Sequence, residues 1–362
     1  MELSVVILNY NAAPFLRLCL DSVIRATQKI SSEIIVADNC STDDSVQLVR
    51  EKYPQVTLLP FGSNYGFSKG NNLAVKQARG TYLCILNPDT IVGENVFLNC
   101  LAFAKANSNL GVVGTQLIDG SGTFLPESKR HLPTPKVARA KFLGHDDKYY
   151  FNDIDKDSRG PVEILVGAFM FCRKKVYQDL GGFDERYFMY GEDIDLSYTA
   201  LTNNLQNYYL GDALVVHFKG ESTVKDKKYL KRFYGAMELF YDKYFKRNLL
   251  EKLVVKIAVK VLSIKPIKNT QPNPKIKKKI LVTNQVNKGL SSFDEVCSMD
   301  TLPATSCSNT ALYWDINSLL IEDVLRYMKD NPRSFLYRFL SLDRSTAVGS
   351  DDKNSQGKIE IF

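Results

Sequence analysis

Residues 3–43 read LSVVILNYNAAPFLRLCLDSVIRATQKISSEIIVADNCSTD: two apolar runs that each stop at polar residues, with a helical stretch between them. Leu3 to Leu8 reads as a strand and is followed by the turn residues Asn9, Tyr10 and Asn11. Pro14 suits a first helical turn, and Leu16, Cys19, Leu20, Val23 and Ile24 supply an apolar helical face. Glu33 to Ala37 is a second strand, ending in Asp38-Asn39-Cys40-Ser41-Thr42-Asp43. Working outward, Val56–Leu59 predicts a third strand, Asn72–Ala78 a helix, and Thr81–Leu86 a fourth strand that runs into Asn87-Pro88-Asp89-Thr90. Strands separated by helical stretches point to an α/β chain with a parallel, doubly wound sheet. Ligands of such sheets bind beyond the carboxyl ends of the strands. One polar strand end is an ordinary turn, but three that converge on one crevice read as a site. Asn64-Tyr65-Gly66-Phe67-Ser68-Lys69-Gly70-Asn71-Asn72 adds a glycine-bearing loop leading into a helix, where backbone can approach an anion closely.

Composition narrows the class. Seven cysteines, scattered and never spaced as CxxC, argue against a disulfide framework or a zinc cluster and for a reducing cytosol. No basic region precedes LSVVIL and no run of about 18 apolar residues occurs, so neither a signal peptide nor a membrane span is expected. The net charge of +7 is unevenly spread. Residues 1–245 carry 28 basic and 28 acidic groups, residues 246–288 carry 12 and one, and residues 289–362 carry 7 and 11. A single basic segment implies local contact with an anionic surface.

The succession VVILNYN, VADNCSTDDS, NYGFSKGNN and LNPDT, then GAFMFCRKKVYQDLGGFDERYFMYGEDIDLSYTA and VVHFKGES, resembles glycosyltransferase family 2. The resemblance covers roughly residues 1–245 and implies a GT-A fold, a Rossmann-like mixed sheet. The LNPD form with FMYGEDIDL is similar to the rhamnosyltransferase-like enzymes of bacterial surface polysaccharide assembly.

The chemistry that this implies can be rebuilt from the residues. A divalent cation, Mg2+ or Mn2+, held by carboxylate oxygens would neutralise the departing nucleotide diphosphate. Asp89 is the best candidate ligand, although Asn87-Pro88-Asp89 replaces the family's usual Asp-x-Asp. The resemblance adds His217 as a second ligand; a strand-end histidine with structural hydrogen bonds is the competing reading. It also implies that Asp193, in Tyr190-Gly191-Glu192-Asp193, is the base that takes the acceptor's proton, with Glu192 supporting it. Asp195 is a rival by proximity, and acidic residues here can simply favour a helix N-terminus. Base-assisted direct displacement inverts the anomeric carbon. Asp38 stands where the family binds the nucleotide base, which favours UDP or dTDP. Asn9, Asn11, Asn39, Asn72 and Asn87 are hydrogen-bonding candidates around the nucleotide sugar, or turn and cap residues. Gly167 and Phe169 are expected on a strand flanking the acceptor side, with Phe183, Tyr187, Phe188 and Tyr190 an acceptor platform or packing.

Beyond the catalytic region, Leu249–Ile264 places Lys252, Lys256 and Lys260 along one stripe of an apolar helix, followed by Lys265, Lys268, Lys275, Lys277, Lys278 and Lys279. Residues 246–279 are therefore expected to dock on anionic lipid at the inner face of the cell membrane and to link onward. Such a placement makes a glycan or polyprenyl-linked acceptor the natural partner. A helix packed on the enzyme, followed by a solvated linker, is the alternative. Nucleic acid is disfavoured, because no aromatics interleave the lysines. Residues 280–362 predict a small α/β module with a helix over Leu319–Met328, capped by Asp315 or Asn317, and a regulatory, oligomerising or partner-binding role. Two rivals remain on sequence alone. One is a nucleotidyltransferase, which would need a glycine-rich loop where Asn9-Tyr10-Asn11 stands. The other is a non-catalytic binding protein on a decayed transferase fold.

Overall fold

In the computed structural model, residues 1–142, 144–219, 227–245, 275–285, 292–303, 309–352 and 357–362 are described. The amphipathic stretch Leu249–Ile264 and most of the basic segment lie outside the described residues. The first sheet is built from β1 (Leu3–Asn9), β2 (Ser32–Asp38), β3 (Thr57–Pro60), β4 (Tyr82–Leu86), β5 (Thr90–Val92), β6 (Leu110–Ile118), β7 (Arg159–Val162), β8 (Phe169–Arg173) and β9 (Gln206–His217). Its order is β3-β2-β1-β4-β8-β6-β9-β5, with β7 on β9. The pairings among β3, β2, β1 and β4 are parallel, as the alternation of elements implies. Beyond β4 the sheet becomes mixed: β8 runs antiparallel to β4 and β6, and β5 antiparallel to β9.

Helices α1 (Ala13–Thr27), α2 (Ser45–Lys52), α3 (Phe67–Val75), α4 (Val96–Ala106), α5 (Pro135–Phe142), α6 (Lys174–Asp179), α7 (Glu192–Thr202) and α8 (Lys227–Tyr244) accompany it. Pro14 does sit in the first turn of α1. Helix α3 starts five residues before the expected Asn72, because Gly66, at φ 79°, turns the chain directly into it. One large core holds β1, β2, β4, β6 and β8 against α1 and α4 through Val5, Ile7, Leu20, Val36, Phe97 and Phe171. Burial of such side chains, at about 1.5–3 kcal/mol each, drives the assembly.

The C-terminal residues form a second sheet, ordered β11-β10-β12-β13-β14-β15: β10 (Lys278–Val282), β11 (Glu295–Cys297), β12 (Thr310–Asp315), β13 (Leu336–Leu340), β14 (Thr346–Gly349) and β15 (Lys358–Ile361). Helix α9 (Ile321–Asp330) joins β12 to β13. Strand β10 takes in Lys278 and Lys279 from the basic run, and each pairs with a carboxylate: Lys278 with Glu295 at 2.5 Å and Lys279 with Glu360 at 2.8 Å.

Neither Asp315 nor Asn317 caps α9. The helix begins two residues later than its pattern implied, at a Leu320 N-cap with no side-chain cap, while Asp315 is bound to Thr283, Ser318 and Arg344. The cap comes from the other sheet instead. Glu94, which precedes α4, accepts from the Ile321 and Glu322 amides with both carboxylate oxygens, at 2.9 Å each. The two sheets also share an apolar core in which Phe15, Leu18, Ile91, Ile118, Val216 and Phe218 meet Leu312, Trp314, Leu325, Met328 and Phe339.

Candidate functional site

At the polar strand ends Asn9, Asp38, Asn39, Asp89 and Thr90 are buried, while Tyr10, Cys40, Thr42 and Asp43 are exposed. Asn9 is the last residue of β1, with its Nδ2 donating to Asp38 Oδ1 at 2.9 Å and to Ser41 Oγ at 3.2 Å. Asp38 accepts the Ser41 amide on its other oxygen at 2.9 Å. The two strand ends are thus stitched into one floor, with Asn9 Oδ1 buried and lacking a partner among the described residues. Such an orphaned acceptor is unfavourable unless a ligand donates to it.

The other asparagines differ from Asn9. Asn11, at φ 51°, accepts from the Thr42 amide at 2.7 Å and shapes the turn. Asn39 ties down the 64–66 loop, accepting from the Tyr65 amide and donating to Asn64 Oδ1. The Asn72 amide is fully engaged, donating to Phe183 O and Glu185 and accepting from Tyr177 and the Phe183 amide. It holds α3 to the segment that leads toward Asp193. On α3 itself, Ser68 Oγ and Asn71 Oδ1 are buried without partners among the described residues, two polar atoms the sequence reading passed over.

At the end of β4, Asp89 Oδ1 lies 3.3 Å from His217 Nε2. Strand pairing makes this meeting inevitable, since Thr90 is in register with His217 and the Phe218 amide donates to Asp89 O at 3.0 Å. Asn87 Nδ2 lies 3.5 Å from the same histidine nitrogen, while Asn87 Oδ1 and His217 Nδ1 are buried without partners among the described residues. Nearby Lys219 pairs with Glu127. Burial alone would raise the Glu127 carboxyl, but that ammonium holds it below its usual range.

Asp193 stands in the first turn of α7. Its Oδ1 accepts the Ile194 amide at 2.8 Å, so it does help satisfy the helix terminus. Its Oδ2 faces the other way, accepting from Arg130 Nη2 at 2.7 Å and from the Gly167 amide at 3.1 Å. A Cβ at position 167 would stand 3.3 Å from Asp193 Cβ, so the close approach here suits glycine. The next residue, Ala168, accepts the Asn87 amide at 3.0 Å. Two consecutive backbone residues therefore join Asp193 to the corner that carries Asp89.

Arg130 escaped the sequence reading. It is buried, donates to Leu165 O as well as Asp193, and reaches Tyr149. Its only signal was a Lys129-Arg130 pair ahead of His131-Leu132-Pro133. Glu192 is buried beside Asp193, and its Oε2 has no partner among the described residues. Burial, with the neighbouring Asp193 charge added, pushes its carboxyl well above the usual range. Asp195 is committed elsewhere, to Lys243 of α8 at 2.9 Å and to the Tyr187 hydroxyl. Within the expected aromatic platform, Phe183 and Tyr187 are buried packing residues and Phe188 is exposed.

A family model described as glycosyl transferase family 2 matches residues 4–181. Over 241 residues the chain is 30% identical to the N-acetylglucosaminyl-diphospho-decaprenol L-rhamnosyltransferase of Mycobacterium tuberculosis, spanning 62% of this chain and 78% of that one. The chain belongs to glycosyltransferase family 2. It is also 26% identical over 195 residues to the rhamnosyltransferase WbbL of Escherichia coli K12, spanning 51% of this chain and 72% of that protein. Among solved structures, that of GalNAc-T7 with UDP, GalNAc and Mn2+ aligns with a TM-score of 0.50 at 17% identity, covering 67% of this chain and 49% of that one. The first sheet of this glycosyltransferase is a GT-A fold, and its strand-end crevice is where such a fold places its ligands.

Proposed function

We propose that this glycosyltransferase inverts the anomeric carbon as it moves a sugar from a UDP- or dTDP-linked donor to a hydroxyl of a lipid-linked glycan. Bacterial surface polysaccharide is the intended product, and rhamnose is the sugar to test first. The observation that carries this reading is the placement of Asp193. Arg130 and the Gly167 amide hold one carboxylate oxygen, and the Gly167-Ala168 backbone ties that oxygen to the Asn87–Asp89 corner. A base held in a fixed relation to the corner that would receive the leaving group is what in-line displacement requires. Arg130 orients Asp193 and balances its charge, and Asp193 takes the acceptor's proton as the hydroxyl attacks. Asp38 and Asn9 bind the nucleotide end.

Asp89 and His217 would hold a divalent cation, which would neutralise the charge on the departing diphosphate. One carboxylate, one imidazole and the unpartnered Asn87 Oδ1 suit an ion whose remaining ligands are phosphate oxygens. Among the described residues no group of three or more His, Cys, Asp or Glu side chains is placed to hold a metal ion.

The lipid-linked acceptor is supported by the mycobacterial relative's name and by the rim beside Asp193. There, the Arg232 guanidinium lies 4.3 Å from the ring centroid of exposed Phe188, and exposed Phe233 packs edge-on against Tyr190. No helix among the described residues is long and apolar enough to cross a membrane. Peripheral docking is the reading that accommodates both facts.

Asp193→Asn tests the assignment. Transfer from dTDP-rhamnose or UDP-sugars to a polyprenyl-diphosphate-linked acceptor should fall by about 10²–10⁴, while nucleotide still raises the melting temperature. Near-normal transfer by the folded variant would remove Asp193 as the base.

A further inference from the structure

We propose that Phe339, in the C-terminal sheet, is a positioning residue for the Asp89–His217 pair and acts on it through Phe218. Phe218 directly follows His217, and its amide donates to Asp89 O at 3.0 Å, so its backbone is part of the corner where the two side chains meet. The Phe218 ring is fully buried between two others. Phe15 lies 5.2 Å away on α1, and Phe339 lies 6.0 Å away on β13, both edge-on. Such aromatic pairs have directional preferences as well as buried area, so they fix a ring's orientation.

The same core clamps both segments that reach the corner. Ile91 of β5 and Val216 of β9 are each buried with no exposure, in one cluster with Leu312, Trp314, Phe339 and Val348. On the other side of Phe218, Phe15 and Leu18 tie in α1, which follows the β1 end at Asn9 and the turn at Asn11. Arg17, also on α1, pairs with Asp343 in the turn between β13 and β14. The C-terminal sheet therefore grips the structure behind both strand ends that face the donor. Phe339 lies beyond residues 4–181, which the family model matches. Deleting the Phe339 ring would leave a void under Phe218, into which the corner can relax away from its 3.3 Å Asp89–His217 spacing.

This inference rests on the cation reading above, and its test is built to separate the two. In the full chain, Mn2+ binding with UDP or dTDP present is followed by electron paramagnetic resonance and by thermal shift, alongside donor KM and kcat. Phe339→Ala should weaken Mn2+ binding by about tenfold or more and raise donor KM, with kcat at saturation little changed. Phe339→Leu should restore most of the affinity and serves as the readout should the alanine variant fail to fold. Met328→Ala, in the same core but on α9, should lower stability and leave Mn2+ affinity intact. Wild-type affinity in Phe339→Ala, or an equal loss in Met328→Ala, overturns the proposal. A wild-type chain indifferent to Mn2+ sinks the cation reading; the positioning role then stands or falls on the donor KM of the Phe339 variants.

Discussion

Replacing Glu94 with alanine should destabilise both sheets together, because this one side chain caps a helix that belongs to the other sheet. Its oxygens accept the Ile321 and Glu322 amides at 2.9 Å each, and Oε1 also lies 2.8 Å from Arg25 Nη2. Arg25 in turn donates to the carbonyls of Ile316 and Leu319, so it keeps partners when the carboxylate goes. The Glu94 side chain is 20% exposed, so water can partly replace it at the freed amides. Loss of an N-cap costs about 0.5–2 kcal/mol and a half-open ion pair about 0–1 kcal/mol. The charge on the acceptor favours the upper part of that range, giving a loss of about 2–3 kcal/mol. With a urea m-value near 3 kcal/mol/M, the unfolding midpoint should drop by roughly 0.7–1 M. The single tryptophan, Trp314, is fully buried in the second sheet, so its fluorescence reports that sheet, while far-UV circular dichroism reports the whole chain. Both probes should shift together, and Glu94→Gln, which keeps an acceptor oxygen, should show about half the effect. A shift in tryptophan fluorescence alone would mean that the sheets unfold independently. An unshifted midpoint would refute the capping argument itself.

Two further expectations concern Asp193's neighbours. Arg130→Met leaves a buried carboxylate without its cation and should cost about 3–5 kcal/mol of stability, more than Asp193→Asn; Arg130→Lys should recover part of the stability and of kcat, read by urea titration and steady-state transfer. For Glu192 the sign follows from its raised carboxyl. The folded chain keeps a proton that the unfolded chain releases above its usual value of 4.5, so Glu192 erodes stability as pH climbs from there through its folded value. Glu192→Gln removes that titration, and its melting temperature relative to the parent should rise with pH across this window; a difference that is constant with pH would refute the assignment.

The strand ends that carry the candidate site were legible in the sequence because they are local. An apolar run that ends in Asn9, Asp38 or Asn87-Pro88-Asp89 declares a strand end, and parallel topology brings such ends to one edge without further information. The parallel pairing of β1 to β4 was implied by the same alternation, whereas their order β3-β2-β1-β4 came from the structure. Asp193 and Glu192 were marked by the resemblance of Tyr190-Gly191-Glu192-Asp193 to the family, while their place at a helix start offered the competing reading.

The tertiary structure decided which of these groups are free to act. Asn39 and Asn72 read like Asn9, yet their amides are engaged in holding loops, whereas Asn9 retains a buried oxygen with no described partner. Asp195 differs from Asp193 by two positions on one helix, and that rotation turns it toward Lys243 rather than Arg130. Arg130 lies 63 residues from its carboxylate and Glu94 lies 227 from the helix it caps. Local pattern records burial periodicity and turn chemistry, both set by near neighbours. It carries no trace of which distant charge closes a hydrogen bond, or of which sheet supplies a missing cap, because those partners meet only when separate elements pack.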